Sequence, residues 1–304
     1  MVSKKIALVF GGQGSLCKRT CLNFYQNYSE FRYVFETASE IVGYDISDIY
    51  LNAPIDIMNS STYSQICTLT IELGFLQIFK ERGAPFDAVS GFSLGEYAAL
   101  VAANIIDMKT AIELVNVRTR VMNDSISDNM GKMIAVMNLN IEDIEKICEI
   151  YGYDSVAISN YNSFNQVVVS VSGKILDEFI KTIKSQKGKV YVLNIDRPFH
   201  HIMMKPMADL FKSYLITTKF NKPTIPIYMN ATGRMYLEND SFQELLYKQI
   251  FKPVQWIKIV QNMKNDHINT FYELSPKPVL SSFIRNIIGS NADINCIQDF
   301  SNKI

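Results

Sequence analysis

Gly91-Phe92-Ser93-Leu94-Gly95 is the feature that most limits what this chain can become. Three fixed Gly and Ser positions at about 7% each would arise by chance roughly 0.1 times in a chain of this length. Its surroundings narrow it further. Phe86-Asp87-Ala88-Val89-Ser90 precedes it as an apolar strand-like run, and an alanine- and leucine-rich run follows. Two glycines between a strand and a helix permit a tight turn that pushes the serine hydroxyl outward, with the positive end of the helix beside it. A chain built this way needs a sheet to supply the strand and a layer of helices to continue from it. Ser93 then becomes a candidate nucleophile, with a structural turn as the alternative.

The rest of the chain fits that layering. Residues 6–10, Ile-Ala-Leu-Val-Phe, form a short apolar run closed by Gly11 and Gly12, as expected of a buried parallel strand. Phe24, Tyr28, Phe31, Val34, Phe35, Ala38 and Ile41 recur at helical spacing, and a second helical stretch over 64–82 is closed by Gly83 and Pro85. A strand over 86–90 and a helix over 95–106 complete an alternation that predicts an α/β domain around a parallel sheet. From about Gly131 the texture changes. Strands over 133–137, 156–159, 166–172 and 190–195, with helices over 141–151 and 176–186, give a β-α-β-β-α-β order, the ferredoxin-like pattern. Helices over 251–263 and 280–288 return to the large domain. The expected organisation is a large α/β domain over 1–128 and 199–304, with a small ferredoxin-like subdomain inserted over 129–198.

Composition removes several classes of function. The 30 basic and 30 acidic side chains cancel, which argues against nucleic acid or a membrane surface as a partner held by bulk charge. Hydrophobic residues make up 48% of the chain, enough for a well-buried core. No run approaches the roughly 18 apolar residues of a membrane span, and residues 6–10 are too short for a signal-peptide core. The five cysteines, Cys17, Cys21, Cys67, Cys148 and Cys296, contain no CxxC pair, so neither a zinc site nor a disulfide framework is expected. Cys17 and Cys21, four apart, read as small residues packing on one helix face. The expectation is a soluble cytoplasmic protein without bound metal.

A serine nucleophile needs a base. The three histidines are His200, His201 and His267. His267 sits in the polar turn Lys264-Asn265-Asp266-His267 and reads as solvated. His200 and His201 follow Arg197-Pro198-Phe199 where the subdomain should rejoin the large domain, and the residues alone do not choose between them. The loop Phe10-Gly11-Gly12-Gln13-Gly14-Ser15 invites a dinucleotide reading, but Cys17 occupies the third glycine position of GxGxxG and no GK[ST] follows. Such a turn could instead present a backbone N–H to an oxyanion. Arg118, on its own, reads as a solvated helix residue.

These residues together resemble the malonyl-CoA:acyl-carrier-protein transacylases, including the free-standing acyltransferases of fatty acid and polyketide synthesis. The resemblance rests on Gly12-Gln13-Gly14-Ser15, on Gly91 to Gly95 followed by Glu96-Tyr97-Ala98-Ala99-Leu100, and on Leu114-Val115-Asn116-Val117-Arg118 followed by Val121-Met122. It extends through an asparagine-rich loop, Asn160-Tyr161-Asn162-Ser163, running into Gln166-Val167-Val168-Val169-Ser170, then Phe199-His200 and Met204-Lys205-Pro206. Gln249-Ile250-Phe251-Lys252-Pro253-Val254-Gln255-Trp256 and Glu273-Leu274-Ser275-Pro276 complete an ordered set spanning residues 6 to about 285.

The resemblance implies an α/β-hydrolase-like large domain and a role for each matching residue. Ser93 would carry the acyl group, with His200 as its base and His201 a neighbour of the site. Gln249 would help fix the imidazole, as a carboxylate does in other triads. The N–H groups of Gln13 and Leu94 would hold the oxyanion. Arg118 would clamp the free carboxylate of malonyl, for which a planar guanidinium is suited. Phe92 and Phe199 would narrow the pocket beside the α-carbon. The implied substrate is malonyl-CoA, the implied partner is an acyl carrier protein with its phosphopantetheine thiol, and no cofactor is implied. Phe92 stands where the family usually has histidine, Gly11-Gly12 where proline-glycine is common, and Ser275 and Lys277 replace two usual glycines. The nearest rival is an acyl hydrolase of the same fold, against which Arg118 argues. A docking module with a decayed site is the other, against which the intact residue set argues.

Overall fold

A computed structural model of the chain describes residues 5–124, 130–195, 197–289 and 292–297. Nine strands, taken in chain order, form two separate sheets among these residues. They are β1 (Lys5–Phe10), β2 (Ala88–Gly91), β3 (Gly131–Met137), β4 (Val156–Ser163), β5 (Gln166–Ser172), β6 (Lys189–Val192), β7 (Ile227–Tyr228), β8 (Ile268–Leu274) and β9 (Asp293–Cys296). The first sheet runs β7-β2-β1-β8-β9 with every pairing parallel. The second runs β4-β5-β3-β6 with every pairing antiparallel. With helices Ile141–Tyr151 and Leu176–Ser185 between its strands, the second has the β-α-β-β-α-β ferredoxin-like order.

The parallel sheet is covered by helices, as crossover connections require. Phe31, Val34, Phe35 and Ala38 of the helix Ser29–Val42 are buried, as their spacing predicts. They pack with the helix Ser64–Glu81, which is buried around nearly its whole circumference and so has little amphipathic signature. In the antiparallel sheet, side-chain alternation divides labour. Ile134 and Val136 of β3 join Val167 and Val169 of β5 against the two helices, while Met133, Ala135 and Val168 face the large domain.

Several expected boundaries move. The strand expected over 86–90 is Ala88–Gly91. The helix expected over 95–106 is Glu96–Ala102. It stops because Asn104 turns left-handed, at φ 58°, and the 221–224 segment takes the following carbonyls: Thr224 N–H donates to Ala103 (3.0 Å) and Asn221 N–H to Ile105 (2.8 Å). The helix expected over 251–263 begins only at Trp256. Val254 is extended beside β4, exchanging main-chain bonds with Ser159 (2.9 Å) and Tyr161 (3.0 Å). The asparagine-rich stretch 160–163 is not a loop but the end of β4, with register shifts on either side of Asn160. The strands β7, β8 and β9 and the helices Ile46–Leu51, Lys205–Thr217 and Phe242–Gln249 carry no assignment in the sequence reading. Among the described residues no helix is long and apolar enough to cross a membrane, and no cluster of three or more His, Cys, Asp or Glu could hold a metal ion.

Candidate active site

The elbow is tighter than a generic glycine turn. A Cβ on Gly91 would lie 1.9 Å from the Gly95 carbonyl carbon, and one on Gly95 would lie 2.2 Å from the Gly11 carbonyl oxygen. Neither position has room for any other residue. The left-handed residue is Ser93 itself, at φ 54°. A non-glycine residue held there is strained, and such strain persists only where surrounding contacts over-determine it. Here the Ser93 N–H donates to Asn230 Oδ1 (2.7 Å), and the Ser93 carbonyl accepts from Gln249 Nε2 (2.7 Å).

His200 meets the serine. Its Nε2 lies 2.7 Å from Ser93 Oγ, and its Nδ1 lies 2.7 Å from the main-chain carbonyl oxygen of Gln249. A carbonyl can only accept, so Nδ1 carries the hydrogen and Nε2 is free to accept from the serine hydroxyl. Gln249 thus orients the imidazole through its main chain, and its side chain turns elsewhere. Burial, with Arg118 adding to it, pushes the His200 imidazole down to about 4, so it is unprotonated at neutral pH. His200 is also left-handed, at φ 58°. His201 is buried but caps the next turn, its Nδ1 accepting from Met203 N–H (3.2 Å). His267 is exposed in a left-handed turn.

The pair opens into a cavity of about 230 Å³ between the carboxyl ends of β1 and β2 and the free face of the antiparallel sheet. Gly12, Gln13, Phe92, Ser93, Phe199 and His200 line it from one side, and Met133, Ala135, Asn160, Asn162 and Val168 from the other. The Gln13 side chain donates to Ser64 Oγ (2.6 Å), which ties the loop to the helix Ser64–Glu81, and Ser15 Oγ donates back to the Gly12 carbonyl (2.7 Å) within the loop. Phe92 packs edge-on to Trp256 (5.6 Å between ring centroids) and against Phe283 (6.3 Å). Phe199 is held by Ser170 Oγ, which donates to its carbonyl (2.7 Å). The Leu94 side chain lies in the core.

Arg118 is 3% exposed and is not among the residues lining the cavity. Its guanidinium bonds to Gln65 Oε1, and its Nε has no partner. Burial lowers its pKa, while Tyr97 and Glu96 work in the opposite direction. So it is a buried cation near the pair, not the solvated helix residue its local sequence suggests. Two residues that the sequence reading did not place in the site complete it. Asn230, in the turn after β7, and Glu96, the first residue of the helix after the elbow, are both fully buried and bonded to each other. Glu96 was visible only as part of a motif, and nothing in the sequence around Asn230 marks it.

An α/β fold with a strained serine on a strand-to-helix elbow, bonded to a buried neutral imidazole, defines a protein built for serine-centred acyl chemistry. The chain belongs to the acyl transferase domain family, whose model matches residues 7–298. It is 30% identical to the malonyl CoA-acyl carrier protein transacylase of Escherichia coli K12, over 93% of each chain. Among solved structures, the malonyl CoA-acyl carrier protein transacylase of Clostridium perfringens superposes with a TM-score of 0.92 at 29% identity, covering 98% of this chain and 96% of that one. A malonyl-transacylase solved in complex with its type II PKS acyl-carrier protein gives a TM-score of 0.91 at 27% identity, covering 96% and 95%.

Proposed function

We propose that this chain moves a malonyl group from coenzyme A to the phosphopantetheine thiol of an acyl carrier protein, by way of a malonyl ester on Ser93. The observation that carries this is the 2.7 Å contact between Ser93 Oγ and a neutral His200 whose tautomer is set by a carbonyl. Relatives named as malonyl CoA-acyl carrier protein transacylases, one of them solved with a carrier protein, support the substrate and the partner.

Ser93 Oγ attacks the thioester carbonyl as its proton passes to His200 Nε2. The C–S bond then breaks, the proton goes to the departing coenzyme A sulfur, and the ester remains. In the second half the carrier-protein thiol gives its proton to His200 and attacks that ester, and Ser93 leaves with the proton. The oxyanion of each adduct is held by the N–H groups of Gln13 and Leu94, and losing one such donor typically costs about 10²–10³ in rate. That the Ser93 N–H is already taken by Asn230 is consistent with Leu94 supplying the donor at the elbow. Malonyl-CoA enters as a substrate, and no bound cofactor is called on. The division into a large unit, 1–128 and 199–304, and an inserted unit, 129–198, belongs to the same reading and is supported by two separately bonded sheets. So does a cytoplasmic setting, where five free cysteines stay reduced.

Radiolabelled malonyl-CoA tests the reading. Label should stay on the enzyme and pass to an added carrier protein. Rapid release as free malonate would make the chain a hydrolase, and no label would make the site inert.

Arg118 is assigned to the malonyl carboxylate: it stands behind the cavity lining, and its unpartnered buried Nε and its charge felt at His200 suit an anion that reaches past the pair. Arg118→Ala should raise KM for malonyl-CoA sharply and admit acetyl, because a charge-assisted contact in a poorly solvated pocket is worth about 2–5 kcal/mol. An unchanged malonyl-to-acetyl loading ratio in the variant would remove Arg118 from the role.

Phe199 and Phe92 both line the cavity next to the pair, leaving little space beside the α-carbon. One methyl group is worth about 1–3 kcal/mol of discrimination, so malonyl should be preferred over methylmalonyl by roughly 10- to 200-fold in kcat/KM. Phe199→Ser should narrow that gap. Competition of the two thioesters for one carrier protein reads it directly, and equal loading by the natural enzyme would defeat the size argument.

A further inference from the structure

Glu96 is fully buried, and three hydrogens converge on its carboxylate. Oε1 accepts from the main-chain N–H of Asn230 (2.6 Å) and from Asn230 Nδ2 (2.8 Å), and Oε2 accepts from Gln249 Nε2 (2.8 Å). Those two partners are the residues that hold the nucleophile and the base. Asn230 accepts the Ser93 N–H through Oδ1 and donates through Nδ2 to the Gly91 carbonyl (2.6 Å). Gln249 donates to the Ser93 carbonyl and accepts the His200 Nδ1–H. Asn230, Gln249 and Glu96 come from the turn after β7, the helix Phe242–Gln249 and the helix Glu96–Ala102, so no two of them are fixed to each other by local sequence.

We propose that Glu96 is a positioning residue: its ionised carboxylate, acting through Asn230 and Gln249, sets the alignment of the Ser93 hydroxyl with His200. The proposal rests on the Ser93–His200 pair and not on the identity of the acyl group. All three neighbouring groups are N–H donors. An amide or a protonated carboxyl at this position would turn a hydrogen toward one of them, and one side of the anchor would break. The charged and titratable groups facing Glu96 are Arg118 from the helix Met108–Asp124 and Tyr97 beside it on its own helix. Burial holds the Glu96 carboxyl up at about 7, against the pull of its donors and of Arg118. The anchor therefore assembles as pH rises through neutrality, where the imidazole is already unprotonated.

The test is the rate at which a fluorophosphonate modifies Ser93 in the whole protein between about pH 5.5 and 9, followed by intact mass. The wild type should rise through a limb near pH 7 to a plateau. Glu96→Gln should lose the limb and run about 10²-fold below that plateau, since small misalignments of reacting groups cost rate on this scale. With malonyl-CoA, the same variant should lose acylation rate with little change in KM. Asn230→Asp places a second carboxylate beside the first and should move the limb upward; it carries the test alone if the glutamine variant does not fold. A glutamine variant that keeps the limb, or that stays within about threefold of wild type, overturns the proposal, as does a limb unmoved in Asn230→Asp. Wild-type protein that reacts with the fluorophosphonate but takes no malonyl would sink the malonyl reading and leave this one standing.

Discussion

Ser93→Ala is expected to abolish acyl-enzyme formation while leaving the fold intact. Alanine keeps the Cβ and fits the same left-handed backbone as well as serine does, so the elbow, its two glycine contacts and the main-chain bonds to Asn230 and Gln249 all survive. What goes is one hydroxyl and its 2.7 Å bond to His200, worth about 1 kcal/mol of stability. The N–H groups proposed for the oxyanion and the guanidinium proposed for the carboxylate remain, so malonyl-CoA should still bind. Intact mass after exposure to malonyl-CoA reads the result: the wild type should gain one malonyl group and the variant none. An alanine variant that still becomes acylated would move the nucleophile elsewhere.

The second large effect belongs to the base. His200→Ala should slow acylation by about 10²–10⁴, the usual contribution of a positioned general base. His201→Ala should do much less, because its ring caps the 202–204 turn and makes no contact with Ser93. Equal losses at the two positions would overturn the choice. His200→Ala also carries a signature in stability. The imidazole is pushed down to about 4 in the folded chain by burial and by Arg118, whereas an unfolded histidine titrates near 6.5. Between those values the unfolded state binds the extra proton, so this residue costs stability as pH falls from about 6.5 to 4. The alanine variant lacks that cost, and its stability relative to wild type should improve across this window in denaturant titrations. A difference that stays constant with pH would mean that the imidazole is not held neutral.

Much of the site was legible because its chemistry is carried by contiguous residues. The elbow needs glycine on both sides of the serine, and the close approaches at Gly91 and Gly95 show why no other residue could stand there. The helices Ile141–Tyr151 and Leu176–Ser185 were legible because each buries one face against the antiparallel sheet, which leaves a period in the sequence, whereas β3 and β5 are buried on both faces and show as short continuous apolar runs. Where a segment is paired at a distance, no such period marks it: the extended residues around Val254, expected as the start of a helix, are held by β4, far away in sequence. The helix Ser64–Glu81 is buried almost all round, and its legible signal was the closing Gly83 and Pro85.

Sequence alone determined the layered α/β class, the ferredoxin-like insertion and the serine on its elbow, and through resemblance it proposed His200 rather than His201 as the base, the histidine that lies 2.7 Å from Ser93 Oγ. Those follow from local periodicity, turn chemistry and ordered motifs. Only the tertiary structure decided how the pair is held. Gln249 orients the imidazole by a carbonyl that every residue possesses, so its side-chain identity could not reveal the contact. Its side chain instead shares Glu96 with Asn230, an asparagine 134 positions away from that carboxylate. Arg118 reads as a surface cation from its neighbours in sequence and becomes a buried one because the helices Ser64–Glu81 and Glu96–Ala102 close over it with Gln65 and Tyr97. Contacts of this kind join residues that have no reason to be patterned together along the chain, and they exist only once the sheet has brought its loops to one edge.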